Sequence, residues 1–342
     1  IYDTAVHTLR LCMHEHYEDC PWREQALYTL DSRNQMLAGY KAFKDGNREM
    51  VRASLDLISR GERPDGLLML CYPAGLDLPI PFYTLAYFLQ FREYLDFSGD
   101  TEFAEEKICF LEKLMQTILS RRIRQGLYAG LCPRYPDSRR IWNFYEWSET
   151  MEGKKYKYDE ENPPCEAPFN AMLVMALDSL AAIYKYIGQD AQAAAQKELA
   201  DEVSAAVERV FRLYDGLYRS FTDREDAKLS VLTLALCLLS GSSHGVIPTE
   251  KALSIIADNA GFDTIPATLS MACWRYDTLL VFNREKFAPV ILSEIDRDCS
   301  YMLDRGATTF WETIKGDSDF SNAGSLCHGW SAMSAYYYSI LI

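Results

Sequence analysis

Residues 81–122 read PFYTLAYFLQFREYLDFSGDTEFAEEKICFLEKLMQTILSRR, and this stretch decides the fold. Apolar residues recur at helical spacing through 81–98 and again through 101–122. Between the two runs lies Phe97-Ser98-Gly99-Asp100-Thr101, where a glycine ends one helix and the residues after it cap the next. Ile187-Gly188-Gln189-Asp190-Ala191 repeats that punctuation between helices expected at 167–187 and 191–211. Working outward, helices are also expected at 2–13, 32–43, 47–59, 229–239, 249–259, 268–282, 285–302 and 329–341. About twelve helices in adjacent pairs predict an all-α chain of six hairpins. A closed barrel of helix pairs satisfies that count, and so does an open superhelix. No residue-level repeat of fixed period is visible, which favours the barrel. Strand signals are scarce; 126–129 and 216–219 are the segments expected to pair briefly.

With 342 residues and 49% hydrophobic side chains, the chain can bury a large core. Aromatic residues reach 13%, with 22 Tyr and 6 Trp. That suits either a large aromatic core or stacking on sugar rings. The formal net charge of −14 repels phosphate backbones and anionic lipids, so neither nucleic acid nor a membrane is an expected partner. No run of 18 or more apolar residues occurs, so no transmembrane helix is expected. The chain starts Ile1-Tyr2-Asp3 with no signal-peptide pattern and reads as a piece of a longer protein. Ten cysteines are scattered singly with no CxxC pair. Several lie in apolar helical runs, so buried free thiols are expected, which fits a reducing, cytoplasmic compartment.

Four connections are long: 14–30, 61–79, 125–166 and 303–328. They are rich in Trp, Tyr, Asp, Glu and Pro, a composition for ordered, site-forming loops rather than linkers. No domain boundary is visible, so residues 1–342 read as one unit. The first loop concentrates acids: His14-Glu15-His16-Tyr17-Glu18-Asp19-Cys20-Pro21-Trp22-Arg23-Glu24-Gln25, then Tyr28-Thr29-Leu30-Asp31. Glycoside cleavage needs one protonated carboxyl to donate to the leaving oxygen and a second carboxylate to activate water or attack carbon. Neighbouring carboxylates are one way to keep such an acid protonated. The same residues also suit a solvated, salt-bridged loop with Asp31 as a helix N-cap. Cys12, His14, His16 and Cys20 are zinc-ligand types, but their spacing matches no common finger. A second cluster reads Gly306-Ala307-Thr308-Thr309-Phe310-Trp311-Glu312, followed by Cys327-His328-Gly329-Trp330-Ser331. By itself it suits packing tryptophans and a capping histidine.

Together these motifs resemble the α-L-rhamnosidases of glycoside hydrolase family 78. The resemblance rests on Asp19-Cys20-Pro21-x-Arg23-Glu24 with Asp31 seven residues on, and on the two motifs ending the chain. Pro64-Asp65-Gly66-Leu67, Ile80-Pro81, Trp142-Asn143-Phe144-x-Glu146-Trp147 and Asn170-Ala171 fall in the family's order, so it runs nearly end to end. It implies an (α/α)6 barrel, the six-hairpin glycosidase toroid. It implies Glu24 as general acid and Glu312 as general base of an inverting hydrolase, their carboxyls about 6.5–9.5 Å apart. Asp19, Arg23, Tyr28, Asp31, Trp147, Trp311 and His328 are the implied substrate-binding residues. No metal or cofactor is implied, the partner is a carbohydrate, and flanking β-sandwich domains are expected outside this chain. Rhamnose carries a C6 methyl that calls for an apolar wall, which the Trp and Tyr residues supply. Two positions depart from the pattern: Tyr28 stands where many members have Trp, and Glu146 where Asp is expected before Trp147. The alternatives are a six-hairpin glycosidase for another sugar, a catalytically silent carbohydrate-binding barrel, and a zinc-bearing helical barrel of prenyl-group chemistry. No Asp-rich diphosphate motif supports the last.

Overall fold

The structure, a computed structural model, describes the chain except for residues 124–125, 131–140, 149, 154–164 and 225–226. The helices are α1 (Tyr2–Leu11), α2 (Asp31–Ala42), α3 (Arg48–Arg60), α4 (Pro81–Ser98), α5 (Thr101–Leu119) and α6 (Ala167–Tyr186). They continue with α7 (Asp190–Phe211), α8 (Val231–Gly241), α9 (Glu250–Ala257), α10 (Ala272–Leu303), the single turn α11 (Asp319–Asn322) and α12 (Met333–Leu341). Helix α10 is two helices in one: Asn283, extended at φ −160° and ψ 85°, breaks it, and the Asn283 side chain caps the second arm at the Lys286 N–H. The sequence reading of separate helices at 268–282 and 285–302 matches that break.

Two kinds of helix alternate. In α4, α6 and α8 nearly every side chain is buried, whatever its direction. In α3, α5 and α7 a single stripe is buried, such as Phe103, Ile108, Leu111, Met115 and Ile118 of α5. A helix apolar all round needs neighbours all round, whereas a striped one needs a single support. The first kind forms an inner ring, in which α2 contacts α4, α4 contacts α6, then α8, the first arm of α10, α12, and finally α2 again. The ring closes, which settles the choice between barrel and superhelix: the fold is an (α/α)6 toroid. Helix α6 is also long and apolar enough to cross a membrane by length and composition, but it is an inner staple of the ring, covered by α4, α7 and α8.

The hairpin joint at Gly99 behaves as expected. Gly99 is left-handed (φ 65°) and the Asp100 carboxylate accepts from the Phe103 N–H at 3.2 Å. The second joint differs: Gly188 is left-handed, but α7 starts at Asp190 with no side-chain cap. Residues 126–129 and 216–219 do not pair with each other. Each folds back on the end of its own helix, Tyr128 against Arg122 and Tyr218 against Arg212, and Leu68 does the same against Glu62. In all three the turn contains a left-handed glycine followed by Leu: Gly66-Leu67, Gly126-Leu127 and Gly216-Leu217. This Gly-Leu turn after each of three outer helices is a repeat without fixed period, invisible to a search for one.

Candidate active site

The starts of α2, α4 and α12, with the loops preceding them, gather at one mouth of the ring. They enclose a cleft of about 380 Å³ lined by Asp19, Arg23, Glu24, Tyr28, Asp31, Trp147, Glu312 and His328. Eight of the nine residues singled out from the sequence thus meet. Trp311 does not: its ring packs edge-on against Tyr301 and beneath the Gly316 backbone, outside this cleft, while its carbonyl accepts from the Ser331 hydroxyl at 2.6 Å. Ile80, Tyr83, Trp142, Phe144, Phe320 and Trp330 add to the walls.

The acidic loop is held from both sides. The Asp19 N–H donates to the Ala26 carbonyl, and the Asp19 carboxylate accepts from the Ala26 N–H, each at 2.9 Å. Between them the chain doubles back through Gln25, a non-glycine residue at φ 52°. The Asp19 carbonyl accepts from the Gly329 N–H at 2.7 Å, which joins the loop to the start of the last hairpin. A side chain on Gly329 would strike the Gln35 amide, 2.1 Å from an added Cβ, and that amide binds the Glu18 carbonyl at 2.8 Å. The closure therefore depends on the absence of a side chain there.

Arg23 is the centre of the site. Its Nε donates to Glu24 at 2.6 Å and its Nη2 to Glu312 at 2.8 Å, so one guanidinium bridges the two carboxylates. Nη1 reaches the Ala323 carbonyl, and the guanidinium lies 5.6 Å from the Phe320 ring centre. Glu312 is nearly buried. Its second oxygen accepts from the Ser325 N–H at 2.8 Å, and its carbonyl takes the Trp330 indole N–H at 3.0 Å. Glu24 is more open, and its second oxygen receives the Cys20 thiol at 3.3 Å.

The charges are unbalanced. Burial raises the Asp31 carboxyl well above its ordinary range, and Asp19, Glu312 and Glu24 push it the same way. Burial raises Asp19, opposed by the Ala26 N–H and reinforced by Glu24. Burial also raises Glu312, against the pull of the Ser325 N–H and of Arg23. His328, tilted against Trp330 with ring centres 3.7 Å apart, is held neutral by burial and by Arg23. Its Nδ1 is buried without a hydrogen-bond partner, and a buried polar atom without a partner is costly unless something completes it. The expectation of a solvated, salt-bridged loop with Asp31 as a cap holds only in part: residues 22–25 are exposed and Arg23 pairs with Glu24 and Glu312, but Asp19 and Asp31 are buried. Asp31 is buried and is the first residue of α2, whose N-cap is Leu30.

Trp147 forms the aromatic wall with Trp142, Phe144 and Phe320, at ring distances of 5.6, 4.9 and 5.3 Å. Glu146, the unusual residue before it, does not face the cleft. It is fully buried and accepts from the Trp147 N–H at 2.8 Å, the Thr268 N–H at 3.0 Å and the Thr268 hydroxyl at 2.6 Å. It clamps the aromatic loop to the start of α10. The four zinc-ligand types do not gather. His14 pairs with Glu18, and His16 bonds the Tyr17 carbonyl. The donor atoms that approach within 4.8 Å of one another belong to Asp19, Cys20 and Glu24.

The sequence matches, over residues 1–340, the family model described as the bacterial alpha-L-rhamnosidase 6 hairpin glycosidase domain. The chain belongs to this family. Among solved structures, this six-hairpin domain resembles the GH78 family rhamnosidase of Bacillus sp. GL1, at 24% identity and a TM-score of 0.82. That match covers 98% of this chain and 34% of the Bacillus one. It also resembles a rhamnosidase from Klebsiella oxytoca with rhamnose bound, at 21% identity and a TM-score of 0.79, over 99% of this chain and 63% of that one. More distant in fold is a GH63 mannosylglycerate hydrolase from Thermus thermophilus, at 13% identity and a TM-score of 0.63, over 98% and 99% of the two chains. At these identities the likeness establishes the fold. The six-hairpin domain here thus spans about a third of the Bacillus enzyme and under two thirds of the Klebsiella one. A comparison with curated proteins finds no match.

Proposed function

We propose that this domain is the catalytic barrel of an inverting α-L-rhamnosidase that removes terminal rhamnose. The observation that carries the reading is the pair Glu24 and Glu312, joined through Arg23 in a cleft with an aromatic wall. Glu24, the more open carboxyl, protonates the glycosidic oxygen. Glu312, held by Ser325 and Arg23, takes the proton of the attacking water. Asp19 and Asp31 crowd the same space with negative charge, which favours keeping one proton within the group. Substrate hydroxyls replace the contacts that Arg23 makes in the cleft, and His328 Nδ1 offers a buried partner for one of them. Tyr28, Tyr83, Trp147 and Phe320 supply the apolar surface that a deoxy sugar's methyl needs. The length by which the larger rhamnosidases exceed this chain supports flanking domains, which we expect to be β-sandwiches.

A screen of aryl glycosides tests the reading, with NMR of the first-formed sugar. Hydrolysis of the α-L-rhamnoside with inverted anomeric configuration is the expected result. A retained product removes Glu312 from the role of base. Turnover of a different sugar alone supports a six-hairpin glycosidase whose subsite Tyr28 has reshaped. Binding without turnover of any glycoside supports a silent barrel.

A further inference from the structure

The two halves of the cleft come from opposite ends of the chain, and a pair of cysteines lies where they meet. Cys12 follows the last turn of α1 and Cys327 precedes His328; they are 315 positions apart in sequence and their sulfurs are 3.9 Å apart. A disulfide needs about 2.0 Å between sulfurs, so roughly 2 Å of approach separates contact from bond. Cys12 is wholly buried, whereas Cys327 is partly exposed. Both are anchored to the site. The Cys12 carbonyl accepts from the Glu18 N–H at 2.9 Å, one residue before Asp19. The Cys327 carbonyl accepts from the Ser325 hydroxyl at 2.7 Å, and Ser325 is the residue whose N–H holds Glu312.

We propose that Cys12 and Cys327 are an oxidation site, a thiol pair that a peroxide converts to a disulfide, stapling the acid-bearing loop to the base-bearing loop. Cys327 is the entry point, because it is the accessible member of the pair. Its thiol is also held below the ordinary range by hydrogen bonds from Cys12 and Thr309, against the opposing effect of burial, while the same contact and burial raise the Cys12 thiol. A lowered, partly exposed thiol is the kind that oxidants reach first. The Cys327 thiolate attacks the peroxide; an S–O bond forms, the O–O bond breaks, and hydroxide leaves to become water. Cys12 then attacks the sulfenic sulfur. The S–S bond forms, the S–O bond breaks, and the departing hydroxide takes up the Cys12 proton. Two thiols lose two electrons and two protons, and one hydrogen peroxide becomes two waters.

The consequence is mechanical. The ring closes through α12 against α1 and α2, and both cysteines at that seam are free thiols. A crosslink over so long a loop restricts the unfolded chain strongly, and stabilisation by such a bond raises Tm by roughly 5 °C in a protein of this size.

The full-length protein is treated with graded hydrogen peroxide, its remaining thiols are blocked, and its peptides are mapped without reduction. The expected result is a crosslinked peptide joining residues 12 and 327, about 2 Da lighter than its two reduced parts together, with a Tm rise of roughly 5 °C that dithiothreitol reverses. Cys12→Ser and Cys327→Ser each lose both the crosslink and the Tm rise. The mapping needs only the wild-type protein, so a variant that fails to fold does not remove the test. Cys327 found as sulfinic acid with no crosslink overturns the proposal. So does an equal Tm rise in the folded Cys12→Ser variant.

Discussion

The two mouths of the ring hold their charges differently. At the loop-covered mouth, Glu24 and Glu312 share the guanidinium of Arg23, Asp19 and Asp31 crowd beside them, and His328 is held neutral. At the opposite mouth, Arg33 is buried between Glu93 and Asp277, with Nη2 at 2.6 Å from the first and 3.3 Å from the second. The Trp274 ring lies 4.4 Å from that guanidinium, and the Tyr337 hydroxyl donates to Asp277 at 2.7 Å. The second mouth carries the larger cavity, about 870 Å³ against 380 Å³. On the proposed function, the smaller cavity carries the chemistry. At the first mouth Asp19 and Asp31 are pushed up and able to hold a proton, which the proposed function needs, while Arg33 with Glu93 and Asp277 ties α2, α4 and α10 together.

The largest expected effect would break this contrast outright. Glu24→Gln and Glu312→Gln should each lower kcat/KM on an aryl α-L-rhamnoside by on the order of a thousandfold, about 4 kcal/mol of transition-state stabilisation, with Tm nearly unchanged. Activity near wild type in either variant removes that residue from the chemistry. Next is His328→Ala, expected to cost about a hundredfold, mostly in KM, because a buried partner for a sugar hydroxyl is lost. A pure kcat loss would mean that His328 acts on the reacting atoms instead.

Arg33→Met tests the other mouth. Removing one partner from a buried ion cluster should lower Tm by roughly 5 °C, while kcat/KM at about 25 °C stays within about threefold. Loss of turnover in a still-folded protein would show that the mouths are coupled. The smallest effect concerns Glu146, whose buried carboxyl is pushed up to about 7. Between its ordinary 4.5 and 7 the folded protein binds a proton that the unfolded chain has released, so stability falls as pH rises through that window. Glu146→Gln should flatten the decline in Tm between about pH 5 and 7.5 by on the order of 2 °C, measured by thermal melts in matched buffers. An unchanged slope would show that Glu146 does not titrate in that range.

Most residues that line the candidate site were legible in the sequence, through motif order and not through local chemistry. Glu312 lies 289 positions from Arg23 in sequence; what joins it to Glu24 is the Arg23 guanidinium, and no local pattern reveals that bridge. Trp311 shows the limit. It adjoins Glu312, yet its ring turns away to face Tyr301. Phe320 was missed for a related reason. It stands in an ordinary-looking Asp-Phe-Ser-Asn stretch, and three successive non-glycine residues at positive φ (Phe320, Ser321 and Asn322) swing it over Arg23. Such strain is supported only by surrounding contacts. Glu146 read as a departure beside the aromatic wall, and its burial against Thr268 makes it a clamp.

By itself the sequence determined the helices, their pairing and the break inside α10, because helical periodicity and glycine punctuation act over a few residues. It also determined which carboxyls belong to the recognised motifs. Only the tertiary structure decided that the ring closes, since closure is a contact between α12 and α2 at opposite ends of the chain. It alone set which acids are crowded and which are paired, and it brought Cys12 against Cys327. Burial and charge balance are sums over neighbours distant in sequence, and no local pattern carries them.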